Sequence, residues 1–241
     1  MRYVIIVFLI IPLSVIAHDK YSVVEVVNGA SIIGKVTFTG KDPAPKTYLV
    51  TKDMEICGME RKIDFVKVNK DGGLTDVVVY LDGIKTGKKF IEHKKQIKQE
   101  KCDYGPMLSV VNQGENVEII NTDKTAHKMH TYEMTEHGNK TMFNISQPLG
   151  QDNTVTKKFD VQDGVSIKMQ CDQHEFMQGY VYIAKTPYYA LVKEDGSFSI
   201  DDIPAGEYFL KAWHSRLKQH PQMKIVIKNG QKLKVNLEYN K

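Results

Sequence analysis

The chain has few cysteines, little net charge, no apolar stretch long enough to span a bilayer and no sustained helical period. Each shortage excludes something. Three cysteines, Cys57, Cys102 and Cys171, cannot all pair with one another, so one thiol is left over. A formal charge of +4 over 241 residues, with no recognisable nucleic-acid motif, gives no ground for nucleic-acid binding. There is no Gly-x-Ser-x-Gly elbow, no His-Glu-x-x-His helix and no phosphate-cradling glycine loop, so no enzymatic activity is expected. The longest apolar run, Val4 to Ile11, lies between Arg2 and Val15-Ile16-Ala17. At about 14 apolar residues, broken by Pro12 and Ser14, this leader falls short of the roughly 20 a membrane span needs. It reads as a signal peptide over 1–17, cleaved after Ala17, which places the protein in the periplasm or outside the cell without stable membrane insertion.

What the chain does have is strand grammar. With 41% hydrophobic and 26% charged residues its composition is globular, enough for one large or two small β domains. Gly29 to Gly40 alternates, Thr47 to Thr51 reads as a strand, and Asp64–Val68 with Asp76–Leu81 reads as a hairpin about Asn69 to Gly73. Leu108–Val111 and Val117–Ile120 follow, then Tyr189–Val192, Phe198–Ile200 and Tyr208–Trp213. Lys224–Ile227 and Lys232–Leu237 are joined through Asn229-Gly230, a hairpin signal. Only Lys88 to Lys101 leaves room for a helix.

The chemistry gathers in one stretch. Val165, Ile167, Met169 and Cys171 alternate with polar residues, so Cys171 ends a strand on its inward face. His174 and Met177 follow at steps of three, before Tyr180 to Ile183 resumes strand character. A thiolate, an imidazole and a thioether on one short loop are three of the four donors of a blue-copper site, which takes two His, one Cys and a weak axial Met. The second histidine must come from elsewhere. His127, in Asn121-Thr122-Asp123-Lys124-Thr125-Ala126-His127, is the candidate; His130 competes, but on a strand the odd spacing sends the two to opposite faces. Cofactor and ligands are thus one type 1 copper on His127, Cys171, His174 and Met177. If Cys171 is a metal thiolate, Cys57 and Cys102 are free to form a disulfide; a pairing of Cys171 with either would destroy the site, and sequence leaves both outcomes open.

Cys171-x-x-His174-x-x-Met177 after an alternating strand, with His127 following an Asn-x-Asp turn, resembles the cupredoxins, and its short spacing is similar to the amicyanin ligand loop rather than the longer plastocyanin one. From Val77 to Ala190 the chain resembles exported plastocyanin-like proteins of the methylamine-utilization type. It departs from the amicyanin pattern at Glu175, where a proline is usual, so a carboxylate could tune the metal or compete for it. The tail, with Asp195-Gly196-Ser197-Phe198 and Pro204-Ala205-Gly206, resembles a carboxypeptidase-regulatory-like, transthyretin-type sandwich, and Gly29 to Gly40 looks like that fold's opening strand. The implied architecture is all-β: a Greek-key β-sandwich cupredoxin plus a second, smaller β-sandwich. Its segments are an N-terminal β segment over 22–70 belonging to the second sandwich, a cupredoxin domain over 75–184 and a sandwich segment over 185–241.

The function expected is an exported blue copper protein carrying single electrons between redox partners such as a cytochrome or a dehydrogenase. The alternatives are copper delivery or storage without electron transfer, and a cell-surface binding module with no copper. Four further features are weighed in the same way. The lysines from Lys85 to Lys101 are a solvated surface or a steering patch for an acidic partner. His127, Met129, His130, Met134, His137 and Met142 are loop residues beside the main site or a second, labile copper site. Cleavage would expose His18 as a terminal chelator, and Asn139 and Asn144 begin glycosylation sequons.

Overall fold

The computed structural model describes residues 21–41, 43–92, 94–150 and 154–240. The leader over 1–17 and His18 lie outside the described residues. Among the described residues the regular structure is all strand apart from one short helix, Met54–Cys57. Among the described residues no helix is long and apolar enough to cross a membrane.

Two pairs of sheets enclose two cores. In the first pair, one sheet runs in the order Val155–Phe159, Glu115–Asn121, Lys95–Glu100, Asp103–Gly105. The facing sheet runs Gly138–Gln147, His127–Thr135, Ser166–Cys171, Gln178–Ala184, Leu108–Asn112. Inward residues of both, among them Ile97, Val117, Ile119, Phe159, Met129, Ile167, Met169 and Val181, form one buried cluster. The period of two puts these side chains on the inner faces and their polar neighbours outside. Lys95–Glu100 is a strand, not a helix: Ile97 and Gln99 point inward while Lys98 between them is exposed. Pairing with Glu115–Asn121 on one side and Asp103–Gly105 on the other decides this.

The second sandwich is built from both ends of the chain. Ala30–Phe38 pairs with Ser197–Ile203, Lys232–Lys234 and Leu237–Tyr239. Opposite it lies a sheet in which Val77–Asp82 pairs with Gly206–His214 and Tyr189–Leu191. The first two-sheet unit is inserted between these ends. Three expectations change as a result. The turn about Asn69 to Gly73 does close, through a Val68–Leu74 bridge and Thr75 N–H to the Lys67 carbonyl, but Val77–Asp82 does not pair with 64–68; it is an inner strand of the second sandwich rather than part of a domain over 75–184. The continuous run Val77-Val78-Val79 is the reason, since Val77, Val79 and Leu81 face the second core and Val78 faces the junction with the first. The segment 22–70 is divided: Ala30–Phe38 belongs to the second sandwich, whereas Tyr48, Val50, Cys57 and Ile63 pack on the first core. Finally, Asn229-Gly230 makes a crossing rather than a hairpin. Met223–Ile227 pairs with Gly206–His214 in one sheet, and the strands beyond Gly230 pair with Ala30–Phe38 in the other.

The two units meet face to face. Leu108, Val110, Tyr180, Tyr182 and Ala184 from the first pack against Val78 and Trp213 of the second. The strand Gln178–Ala184 is therefore buried on both faces, and the ligand loop that precedes it is anchored on a strand with little freedom to shift.

Candidate metal centre

Cys57 and Cys102 are disulfide-bonded, which leaves Cys171 as the free cysteine, fully buried at the end of its strand. The loop after it is closed by its own backbone: Met177 N–H donates to the His174 carbonyl at 2.9 Å and Cys171 N–H to the Met177 carbonyl at 3.1 Å. Asp172 N–H donates to the Lys128 carbonyl at 2.9 Å, fastening the loop to the strand that carries His127. That strand starts from a turn organised by Asn121. Its side-chain oxygen accepts from Asp123 N–H, and its amide nitrogen donates to the carbonyls of Thr125 and Pro148.

Three donor atoms converge. His127 Nδ1 and His174 Nδ1 are 3.2 Å apart, and Cys171 Sγ lies 4.0 Å from the first and 3.7 Å from the second. An ion about 2.0 Å from each nitrogen and about 2.3 Å from the sulfur in a trigonal plane needs edges of roughly 3.5 and 3.7 Å. The triangle has that size. All three residues are buried, with His127 at 0%, Cys171 at 1% and His174 at 2% exposure.

The other edge of each imidazole explains why the lone pairs point inward. His127 Nε2 lies 2.8 Å from Asp123 Oδ2, and His174 Nε2 lies 2.8 Å from Asp53 Oδ2. A ring N–H donated to a carboxylate fixes the tautomer and makes the opposite nitrogen a better ligand. Two such nitrogens at 3.2 Å can share at most one proton, so a cation between them and the thiolate is what satisfies all three. Electrostatics agree. Burial pushes the Cys171 thiol up, but when a proton on Nδ1 of the imidazoles stands in place of an ion, hydrogen bonds from them, with those of the Lys128 and Gln173 backbone, outweigh burial and bring the pKa to about 5. The thiolate in turn raises His174, against burial and with help from Asp53. Asp53 is opposed by desolvation, yet hydrogen bonds from His174 and Thr125 hold it below the usual carboxylate range. The donors fit a copper ion: a soft thiolate and two imidazoles, all three buried.

Met177 is fully buried at the far end of the same loop. Glu175 is exposed and stands outside the converging group. His130 faces away from His127: it stacks on Tyr132 at 4.1 Å and lies 3.3 Å from Asp172. The methionine- and histidine-rich stretch does not gather at one point. Met142 packs beside the first core, Met134 beside the junction between sandwiches, and His137 is exposed. A second set, Cys102, Asp123 and His127, lies close together, but Cys102 is held in the disulfide and has no thiolate to offer. Asp53 carried no signal in the sequence, being 121 positions from its partner. Asp123 did, in its spacing of four from His127.

No curated protein matches the chain. Residues 170–240, less than a third of the chain, match the model of the β-sandwich domain of ER membrane protein complex subunit 7. Among solved structures, amicyanin from Paracoccus versutus is 18% identical at a TM-score of 0.31, covering 40% of this chain and 86% of its own. A purple cupredoxin from Nitrosopumilus maritimus is 21% identical at a TM-score of 0.30, covering 38% of this chain and 100% of its own. A copper-containing nitrite reductase from Thermus scotoductus is 13% identical at a TM-score of 0.31, covering 40% of this chain and 24% of its own.

Proposed function

We propose that this is an exported type 1 copper protein, a Greek-key cupredoxin carried on a second β-sandwich, that passes single electrons between redox proteins and catalyses no reaction of its own. The observation that carries the reading is the triangle of His127 Nδ1, His174 Nδ1 and Cys171 Sγ, with both outer ring nitrogens held by carboxylates. Copper bound there would supply a one-electron couple, soft sulfur favouring the reduced ion and imidazole serving both states. The residues do the rest. His127 is held by strand pairing and Asp123, His174 by the closed loop and Asp53, so neither ring has room to turn when the charge at the centre changes. Met177, buried at the end of the same loop, would be the fourth donor. His127, Cys171 and His174 are all buried, which keeps water and other oxygen ligands away.

The test is titration of the purified apoprotein with Cu(II). An intense thiolate-to-copper charge-transfer band, bleached on reduction, restored on oxidation and missing in Cys171→Ser, supports the reading. Tight Cu(I) binding without the band means delivery or storage. Failure to bind either ion leaves a β-sandwich binding module and overturns the proposal.

A further inference from the structure

The ligand loop is covered by an element that belongs to neither sandwich. Among the described residues Lys46–Leu49 and Glu60–Ile63 pair with each other only, as a two-stranded sheet, with the helix Met54–Cys57 at its tip. Tyr48, Val50, Cys57 and Ile63 turn onto the first core, while Leu49 and Met59 are 74% and 78% exposed. This hairpin rests on the loop 172–178 through side chains. Asp53 meets His174, Lys52 Nζ donates to Gln173 Oε1 at 2.9 Å, and Gln178 Nε2 donates to the Tyr48 hydroxyl at 3.2 Å. Its far side is fixed by the Cys57–Cys102 disulfide and by Arg61, which donates to the Lys101 carbonyl at 2.7 Å. His174 is buried on the side where this cover lies.

We infer that the hairpin 46–63 is a cover, separable from both sandwiches and clipped by Cys57–Cys102, that controls access to the metal centre, and that Asp53 is the positioning residue it brings to His174. The physical ground is the way the cover is attached. Among the described residues it shares no sheet ladder with either sandwich, so its opening breaks side-chain contacts and leaves every core strand paired; such elements open well below the free energy of global unfolding. The disulfide limits the swing, because Cys57 lies in the helix next to Asp53 and Cys102 lies between two strands of the first sandwich. Opening withdraws the Asp53 carboxylate and uncovers His174 and Cys171 together. The Asp53 half of the inference rests on the copper reading; the access half does not.

Two measurements separate these halves. In the wild-type apoprotein, Cys171 alkylation by iodoacetamide, located by peptide mapping, is expected to track hydrogen exchange of the Ile56 amide, which donates to the Asp53 carbonyl. Both are expected to run at least tenfold faster than exchange of core amides such as that of Met169. In Cys57→Ser/Cys102→Ser the alkylation is expected to speed up at least another tenfold. Alkylation that occurs only with global unfolding overturns the cover, whether or not the double variant folds. For Asp53, Co(II) serves as the probe. Asp53→Asn is expected to lose tenfold or more in Co(II) affinity, and Asp53→Glu is expected to recover most of the loss. Affinity unchanged in Asp53→Asn overturns the positioning role. A wild type that binds no Co(II) and no Cu(II) overturns the copper reading and the positioning role, and leaves the cover to stand or fall on alkylation.

Discussion

At the residue scale, buried titratable groups carry the sharpest consequences. His214 is fully buried, and its Nδ1 accepts from the N–H groups of Arg216 and Leu217, both at 3.1 Å. Burial, with Arg216 nearby, lowers its pKa to about 4. The folded value lies below the unfolded value of about 6.5, so the stability it contributes is present above that pH and is lost as pH falls through the folded value. Between pH 7 and 5 the loss is about 2 kcal/mol by linkage, and the urea midpoint falls accordingly. In His214→Gln that part of the slope disappears, although the variant is less stable at pH 7. A wild-type slope retained in the variant would assign the pH dependence to another group. Cys171→Ser acts differently: it removes the thiolate from the proposed copper site and leaves His127, His174 and Met177 in place, so on that proposal copper affinity falls by orders of magnitude while the thermal midpoint of the apoprotein shifts little. Isothermal titration beside a melting curve reads both.

At the scale of elements, single side chains fasten loops to strands. Glu133, buried on the strand His127–Thr135, accepts three N–H groups from Gln162, Asp163 and Gly164 at 2.9, 2.7 and 2.7 Å. Those bonds outweigh desolvation and hold its carboxyl below the usual range. Glu133→Gln keeps the shape but loses the charge and one acceptor arrangement, at a cost of about 1–3 kcal/mol at pH 7. Because the folded pKa is depressed, this contribution is present above the unfolded value and fades as pH falls through the folded one. The gap between wild type and variant therefore narrows in acid, and denaturant melts at pH 7 and pH 3.5 measure it. The loop so fastened leads into Ser166–Cys171, which makes Glu133 a remote support of the thiolate. Strand identity here was legible from alternation, as with Val165 to Cys171. Lys88 to Lys101 was less so, because dense lysines hide a period of two that only Ile97 and Gln99 reveal once partners lie on both sides.

At the scale of the whole molecule, the two sandwiches are not independent. Removing everything after Thr186 strips Ala30–Phe38 and Val77–Asp82 of their partners in Ser197–Ile203 and Gly206–His214, and uncovers Tyr180 and Tyr182. Such a fragment is expected to aggregate rather than fold, as sedimentation would show; a monodisperse, cooperatively melting fragment would disprove the dependence. Trp213, the chain's single tryptophan, sits in the junction and is 7% exposed. Trp213→Ala is expected to cost about 3–5 kcal/mol, and in the wild type its fluorescence should report separation of the two units.

The sequence alone determined the strand-rich class, the alternation that puts Cys171 inward and the short loop carrying His174 and Met177, because these depend on neighbours a few positions apart. It also determined that His127 and His130 face opposite ways, since a strand's period of two leaves no choice. Tertiary structure decided what depends on distant partners. Val77-Val78-Val79 reads as any buried strand, and only packing against two cores shows why both its faces are apolar. Asn229-Gly230 reads as a hairpin, and only the pairing of its flanks with different sheets makes it a crossing. Asp53 is one acidic residue among many until a hairpin, folded back and tied at Cys57, delivers it to a histidine more than a hundred residues away; no local pattern encodes a contact whose two halves are ordered by different parts of the fold.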